Sequence, residues 1–532
     1  MGARHIGRGK ISAMPNRILA LAAVLTLTAT GCGVLPKNDA ATPTSSEAPP
    51  SSGPATSEPA VTPTAQGTKD DRPALAETRS TMTEHLKVEV VGLNRVKGKH
   101  LVVQLRLSNT GTKDLPWTGQ MGDDTRPLGR ILWASGIGVL DAAARVWLLP
   151  YQPKGSPCLC SDQERDDLGY FLKPEQSIAV YAVLPAPSGN PSTATIVTPV
   201  GPPMLNVPIS DVAPEGDFPD PDAEPVTPVT RRLVLPSESL DKSEETADDG
   251  KNLQVSLSSD VLFAVNKATL TPRAKAVLAR TAKLVDASPA SVVKVEGHAD
   301  SSGTDAINDP LSQRRAQAVR SALAALLTRD GVRFEARGYG SRRPLYANDT
   351  DEARRRNRRV SVTFAKPRPE TEQADPAENL ARTLGPAPGE PEATGEAEGK
   401  PIAMKITGLR RLPGGIGLLT YAITNEGSAE TTYNDLHAGQ DWQSYKYRSA
   451  TNVRLTDVAA RRRYLPGRLE VPAEGGVDHY CACTGLSGVR VYTENFAPGQ
   501  SREFYGLFAL PDDATTLNVR IAGFRELQVP VR

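Results

Sequence analysis

Histidine and cysteine are scarce in this sequence, with six and five residues among 532. So few side chains of that kind form no recognisable metal-ligand cluster. No Ser, His and Asp order of a hydrolytic triad stands out, and no glycine-rich phosphate loop does either. The chain therefore reads as a non-enzyme with no cofactor and no metal. Net charge is also nearly absent, at +1. The apolar run at residues 18–27 is too short for a membrane-spanning helix, which needs about 20 residues. What remains is a chain long enough for about three domains.

The small net charge conceals strong segregation. Residues 251–366 carry 21 Lys and Arg against 11 Asp and Glu, a balance of +10. Residues 213–250 and 367–400 are acidic and proline-rich and read as linkers on either side of that basic block. A basic face favours an anionic partner, and solvated surface charge explains the same pattern equally well.

Arg4, Arg8, Lys10 and Arg17 precede the apolar run, and small residues follow it, as in a secretory signal. Ala29-Thr30-Gly31 directly before Cys32 resembles the lipobox of bacterial lipoproteins, with Ala29 where leucine is usual. The resemblance implies a signal peptide at 1–31 and diacylglycerol on Cys32, with Met14 as an alternative start. Residues 32–80 are rich in Ser, Thr, Pro, Ala and Glu and read as a disordered tether.

The two ends of the chain repeat each other. Residues 88–111 align without gaps on 404–427, with Gly92, Arg95, Gly98, Asn109 and Gly111 matching Gly408, Arg411, Gly414, Asn425 and Gly427. Cys158 and Cys160 match Cys481 and Cys483. Pro174, Gln176 and Ser177 match Pro498, Gln500 and Ser501. Val103, Leu105 and Leu107 alternate as a half-buried strand does, and so do Leu419, Tyr421 and Ile423. Residues 84–212 and 401–532 thus read as two copies of an all-β, immunoglobulin-like sandwich. Four cysteines allow three pairings. A disulfide within each copy, Cys158 with Cys160 and Cys481 with Cys483, is the favoured reading, with metal binding or redox chemistry as alternatives.

Between the copies, residues 251–366 read as an α+β layer in the order βαβαββ. Thr271-Pro272 opens one helix at its N-cap and first position, and Pro310 opens a second that runs to Leu327. Asp300 follows a strand, and Arg315 lies on the next helix. A loop carboxylate and a helix guanidinium can hold a zwitterion, the first taking its ammonium and the second its carboxylate. A structural salt bridge between the two is the competing reading. His298 and Asp300 could share a metal, but no third ligand is evident.

The ordered set Gly297-His298-Ala299-Asp300, Gly303, Asn308, Leu311-Ser312, Arg315-Ala316, Gly338, Gly340, Pro344 and Asn357-Arg358-Arg359-Val360 resembles the OmpA-like C-terminal domain family. Ala299 stands where the family usually has threonine. The resemblance implies non-covalent binding of peptidoglycan through a diaminopimelate-type stem residue, with Asp300 and Arg315 as head-group ligands. It places Asn308, Leu311 and Arg359 along or behind that pocket. The basic block then meets a wall ligand and not nucleic acid. The implied protein is extracytoplasmic and wall-associated, and is held to a cell membrane through acylated Cys32 (the outer membrane if the cell has two). An alternative is a scaffold whose two sandwiches recruit protein partners. A composition high in Ala, Arg and Pro suggests a GC-rich genome and an actinobacterial-type wall.

Overall fold

A computed structural model describes residues 71–117, 121–123, 125, 133–367, 391–437, 445–474, 476–485 and 495–532. The signal, Cys32 and most of the expected tether lie outside these residues. Among the described residues, no helix is long and apolar enough to cross a membrane.

The first repeat builds on the antiparallel strands Leu86–Val96 and His100–Asn109, flanked by Ala76–Arg79 and Ser177–Pro185. Leu86, Val88, Val90, Val103, Leu105 and Leu107 turn inward from this sheet and are fully buried. They meet Val139, Leu148, Ile196 and Val207 from a second sheet, so two sheets enclose one core. The second repeat does the same with Lys400–Leu412, Ile416–Asn425, Glu392–Ala397 and Ser501–Ala509. There Met404, Tyr421 and Phe504 pack on Leu455, Val519 and Val529. Burying each such side chain stabilises the fold by roughly 1.5–3 kcal/mol.

The copies agree in detail. Both first hairpins bulge at the same place, between Val90 and Gly92 in one and Ile406 and Gly408 in the other. Asn109 donates to the carbonyls of Lys113 and Leu172 and accepts from the Gly111 N–H. Asn425 donates to those of Ala429 and Phe496 and accepts from the Gly427 N–H. Each copy also starts earlier than expected. Ala76–Arg79 falls in the expected tether, and Glu392–Ala397 falls in the expected second linker. Both are edge strands with little apolar content, so their composition resembles that of the linker.

The central layer has strands in the order Glu244–Asp248, Asn252–Ser258, Arg359–Ala365, Val292–Gly297 and Arg333–Gly338. All neighbours run antiparallel except the last two, which are parallel. Helices Pro272–Asp286 and Asp305–Leu326 pack through Val277, Leu278, Ala316, Val319 and Leu323 onto Val255, Val293, Val295 and Val362. Thr271 caps the first helix, accepting from the Ala274 N–H at 3.2 Å. The second helix begins five residues before Pro310, which lies inside it. Pro310 sits near enough to the N-terminus that its missing N–H leaves only a carbonyl of the first turn unpaired. In chain order Arg333–Gly338 and Arg359–Ala365, expected as consecutive strands, do not follow one another directly. A seven-residue helix, Asp351–Asn357, intervenes, with the Thr350 hydroxyl accepting from the Ala353 N–H at 3.1 Å. Thr350 followed by Asp351 and Glu352 is the N-terminal helix signal that marks it in the sequence.

The largest departure is at residues 213–250, expected as a linker. They hold Val226–Ser239, a strand of 14 residues. Its first half pairs with Val146–Pro153 of the first copy. Further along it pairs with Arg468–Ala473 and Arg462–Tyr464 of the second copy. Its last residues form a hairpin with Glu244–Asp248, which continues into the central layer. One sheet of sixteen strands therefore runs through all three parts. Leu233 and Leu235 of the long strand share a buried cluster with Leu140 and Val197 of the first copy and Leu418 and Leu507 of the second. Arg145, only 1% exposed, fixes the same junction. It donates to the Gly414 carbonyl of the second copy and to Asp248 Oδ2, at 3.1 and 3.0 Å.

Candidate functional site

The site forms where two strands end under a helix. A Cβ on Gly297 would lie 2.1 Å from the Ser312 carbonyl oxygen, and one on Gly338 would lie 2.2 Å from the Gln313 nitrogen. Only glycine admits helix Asp305–Leu326 this close to the strand ends. That approach sets Arg315 beside the loop that follows Val292–Gly297. The loop itself is held on three sides. The His298 and Ala299 N–H groups donate to the carbonyls of Arg359 and Gly340 at 2.9 and 2.8 Å. Asn308, buried in the helix, donates to the Ser302 carbonyl at 2.9 Å. The Ser302 N–H turns back onto Asp300 Oδ1 at 2.9 Å.

Among the described residues no hydrogen bond or ion pair joins Asp300 to Arg315, although the Asp300 charge acts on the guanidinium. Arg315 donates from Nε to the Lys267 carbonyl at 3.0 Å, and its guanidinium lies 5.2 Å from the Phe263 ring centroid. No other hydrogen bond or ion pair occupies Arg315 among the described residues, so both Nη groups remain available. Burial lowers its pKa, with the charge of Asp260 opposing that shift. Leu311, one turn earlier on the same helix face, is 8% exposed.

Asp300 is paired instead with Arg358, whose Nη1 lies 2.6 Å from Oδ2. Arg358 also grips Asp260 with Nε and Nη2, at 3.0 and 2.7 Å. The sequence reading named Arg358 within the ordered motif and missed this pair. Its neighbour Arg359 was expected along or behind the pocket. The structure directs the Arg359 donors inward, to Ser361 Oγ and the carbonyls of Asn357 and Arg343. Burial brings its pKa down to about 10. Arg358 is the C-cap of helix Asp351–Asn357 while Arg359 opens the strand Arg359–Ala365, so the helix-to-strand junction separates the two arginines.

His298 is 3% exposed and stacks on Tyr339 with ring centroids 5.6 Å apart. Burial, followed by the charges of Arg359 and Arg343, lowers its pKa to about 3. Among the described residues, no three His, Cys, Asp or Glu side chains group as a metal site. In the flanking copies, Cys158 is bonded to Cys160 and Cys481 to Cys483, with Cα separations of 5.3 and 5.1 Å.

Residues 262–358 match the model of the OmpA family. Outer membrane porin F of Pseudomonas aeruginosa is 42% identical over 103 residues, which cover 19% of this chain and 29% of the porin. Outer-membrane lipoprotein YfiB of the same species is 35% identical over 22% of this chain and 68% of the lipoprotein. Peptidoglycan-binding protein ArfA of Mycobacterium bovis is 35% identical over 19% of this chain and 31% of that protein. The chain thus spans less than a third of the porin's length, and the similarity falls on the central layer.

Proposed function

The chain belongs to the OmpA family, and on that premise we propose that it is an envelope protein that binds peptidoglycan non-covalently. Asp300 takes the ammonium and Arg315 the carboxylate of a diaminopimelate-type stem residue. Asn308 holds the loop that presents Asp300, and Leu311 lines the pocket wall. The observation that carries this reading is the separation of the two ligands' roles. Arg315 keeps both Nη groups unbonded beside a carboxylate it does not itself neutralise. A purely structural salt bridge would have joined them.

In this reading Cys32 carries the lipid, the Ser-, Thr- and Pro-rich chain that follows it supplies the reach, and the protein lies outside the cytoplasm, linking membrane to wall. Tethering acts by raising the effective concentration of the binding layer near its ligand. The flanking repeats are taken as broadly immunoglobulin-like sandwiches, each stapled by its own disulfide. The binding role needs no catalytic residue, metal or cofactor. A second reading, a scaffold that recruits proteins, is favoured by Tyr170 and Phe171, which stand 52% and 54% exposed side by side on the first copy.

Co-sedimentation with purified peptidoglycan tests the main reading. Wild type should pellet with the wall, while Asp300→Ala and Arg315→Ala should stay in solution. Equal pelleting of all three would remove the site assignment.

A further inference from the structure

The Asp300 carboxylate is not open to a ligand as it stands. Its side chain is 6% exposed, whereas that of Arg358, which lies on it, is 34% exposed. Oδ1 already accepts the Ser302 N–H, and Oδ2 accepts Arg358 Nη1. Arg358 thus supplies the charge that the ligand ammonium would supply. It also has a second partner, since Nε and Nη2 meet the two oxygens of Asp260 in a two-bond fork. Asp260 is 44% exposed on its side chain and offers no buried ligand position of its own.

We infer that Arg358 is a resident cation over Asp300, which the incoming ammonium replaces while Asp260 retains the arginine. This rests on the wall-binding reading for the identity of the ligand, but not for the existence of the cover. Binding is then an exchange of one cation for another on a single carboxylate. The fork makes the exchange less costly, because a guanidinium that releases Asp300 keeps two charge-assisted bonds and does not become an unpaired charge. Arg315 is already directed elsewhere by Lys267 and Phe263, so it offers its Nη groups to the ligand carboxylate without a matching release. The two halves of the site therefore have different demands. The carboxylate half, where Arg315 is 8% exposed, has no ion pair to break, whereas the ammonium half opens only to a group that can compete with a guanidinium. An acylated amine, which carries no charge, cannot do so. Arg358 acts here as a positioning and selecting residue rather than a contact for the ligand.

Two measurements on the full chain test this. The first needs no ligand: carbodiimide and a small amine label accessible carboxylates, and peptide mass spectrometry reads each position. In the wild type Asp300 should label far more slowly than Asp351, whose side chain is fully exposed. Asp300 labelling should rise severalfold in Arg358→Gln and stay low in Arg358→Lys. The second is calorimetry with free meso-diaminopimelate and its N-acetylated form as probes. Arg358→Gln should bind diaminopimelate more tightly by about fivefold, the scale of one partly exposed ion pair. Asp260→Asn should weaken binding to a similar degree, and should have no effect when Arg358 is already glutamine. Rapid labelling of Asp300 in the wild type, or weaker diaminopimelate binding by Arg358→Gln, overturns the proposal. If labelling behaves as expected but the wild type ignores diaminopimelate, the cover stands and the wall-ligand reading falls.

Discussion

Arg356 donates from Nη2 to Glu238 Oε2 at 2.8 Å, and the two side chains are 2% and 3% exposed. One residue belongs to the short helix before strand Arg359–Ala365, and the other to the long strand shared by both repeats. Glu238 also accepts from Arg463 of the second copy at 2.9 Å. Glu238→Gln should therefore destabilise the chain by about 3 kcal/mol, the low end for breaking a buried pair, because Glu245 and Glu352 still face Arg356. Arg356→Met should cost more, since it strips all three carboxylates of their shared cation at once. Unfolding midpoints of the two variants check this.

Arg145 should be as important at the other junction. Arg145→Met removes its bonds to Gly414 and Asp248 and leaves Asp248 with one fewer cation. A loss of about 3 kcal/mol is expected. Limited proteolysis should show earlier cleavage around residues 410–416 than in the wild type.

The repeat makes a paired prediction. Asn109 and Asn425 are 1% and 0% exposed and hold equivalent loops through equivalent bonds. Asn109→Ala and Asn425→Ala should each cost about 2–3 kcal/mol, since each strands buried backbone groups. The double change should be close to additive, because the sites share no partner. Markedly unequal costs in denaturant melts would mean that the two loops are not equivalent.

His298 gives the central layer an acid limit. An unfolded histidine takes up its proton near pH 6.5, but burial holds the folded one to about 3. Below about pH 6.5 the unfolded chain binds more protons than the folded chain. The stability due to neutral His298 is thus complete above that pH and is lost as pH falls toward 3. His298→Gln should flatten the dependence of the unfolding midpoint on pH between about 6.5 and 4.

Pairing within each copy predicts no free thiol at Cys158, Cys160, Cys481 or Cys483 before reduction. Thiol titration and peptide mapping of the purified protein check this. A bond between copies would appear as a cross-linked pair of distant peptides.

Much of the central layer was legible because its signals are local. Thr271-Pro272 marks a helix start wherever the rest of the chain lies, whereas the close approach at Gly297 and Gly338 came only from the structure. The repeat was legible for the same reason, since Asn109 and Gly111 form their turn with near neighbours. The long strand was hidden. It contains Pro228 and Pro236 and is bordered by acidic residues, and composition alone assigns such a stretch to solvent. Glu238 is nevertheless buried because Arg356 and Arg463 reach it from 118 and 225 residues away. Arg358 was hidden in a milder way. Its run of arginines looks uniform, although Arg358 caps the short helix and reaches Asp300 while Arg359 opens the next strand and is buried.

The shared strand also imposes an order of assembly. One edge of Val226–Ser239 can pair as soon as the first repeat and the following hairpin exist. The other waits for residues 462–473, so during synthesis or export a half-built sheet must persist while more than 200 further residues arrive. Such late, distant pairing is slow to form and leaves an open edge that other chains can join. A protein built this way depends on whatever shields its nascent edge, and a truncation before residue 462 should aggregate rather than yield a shorter folded chain.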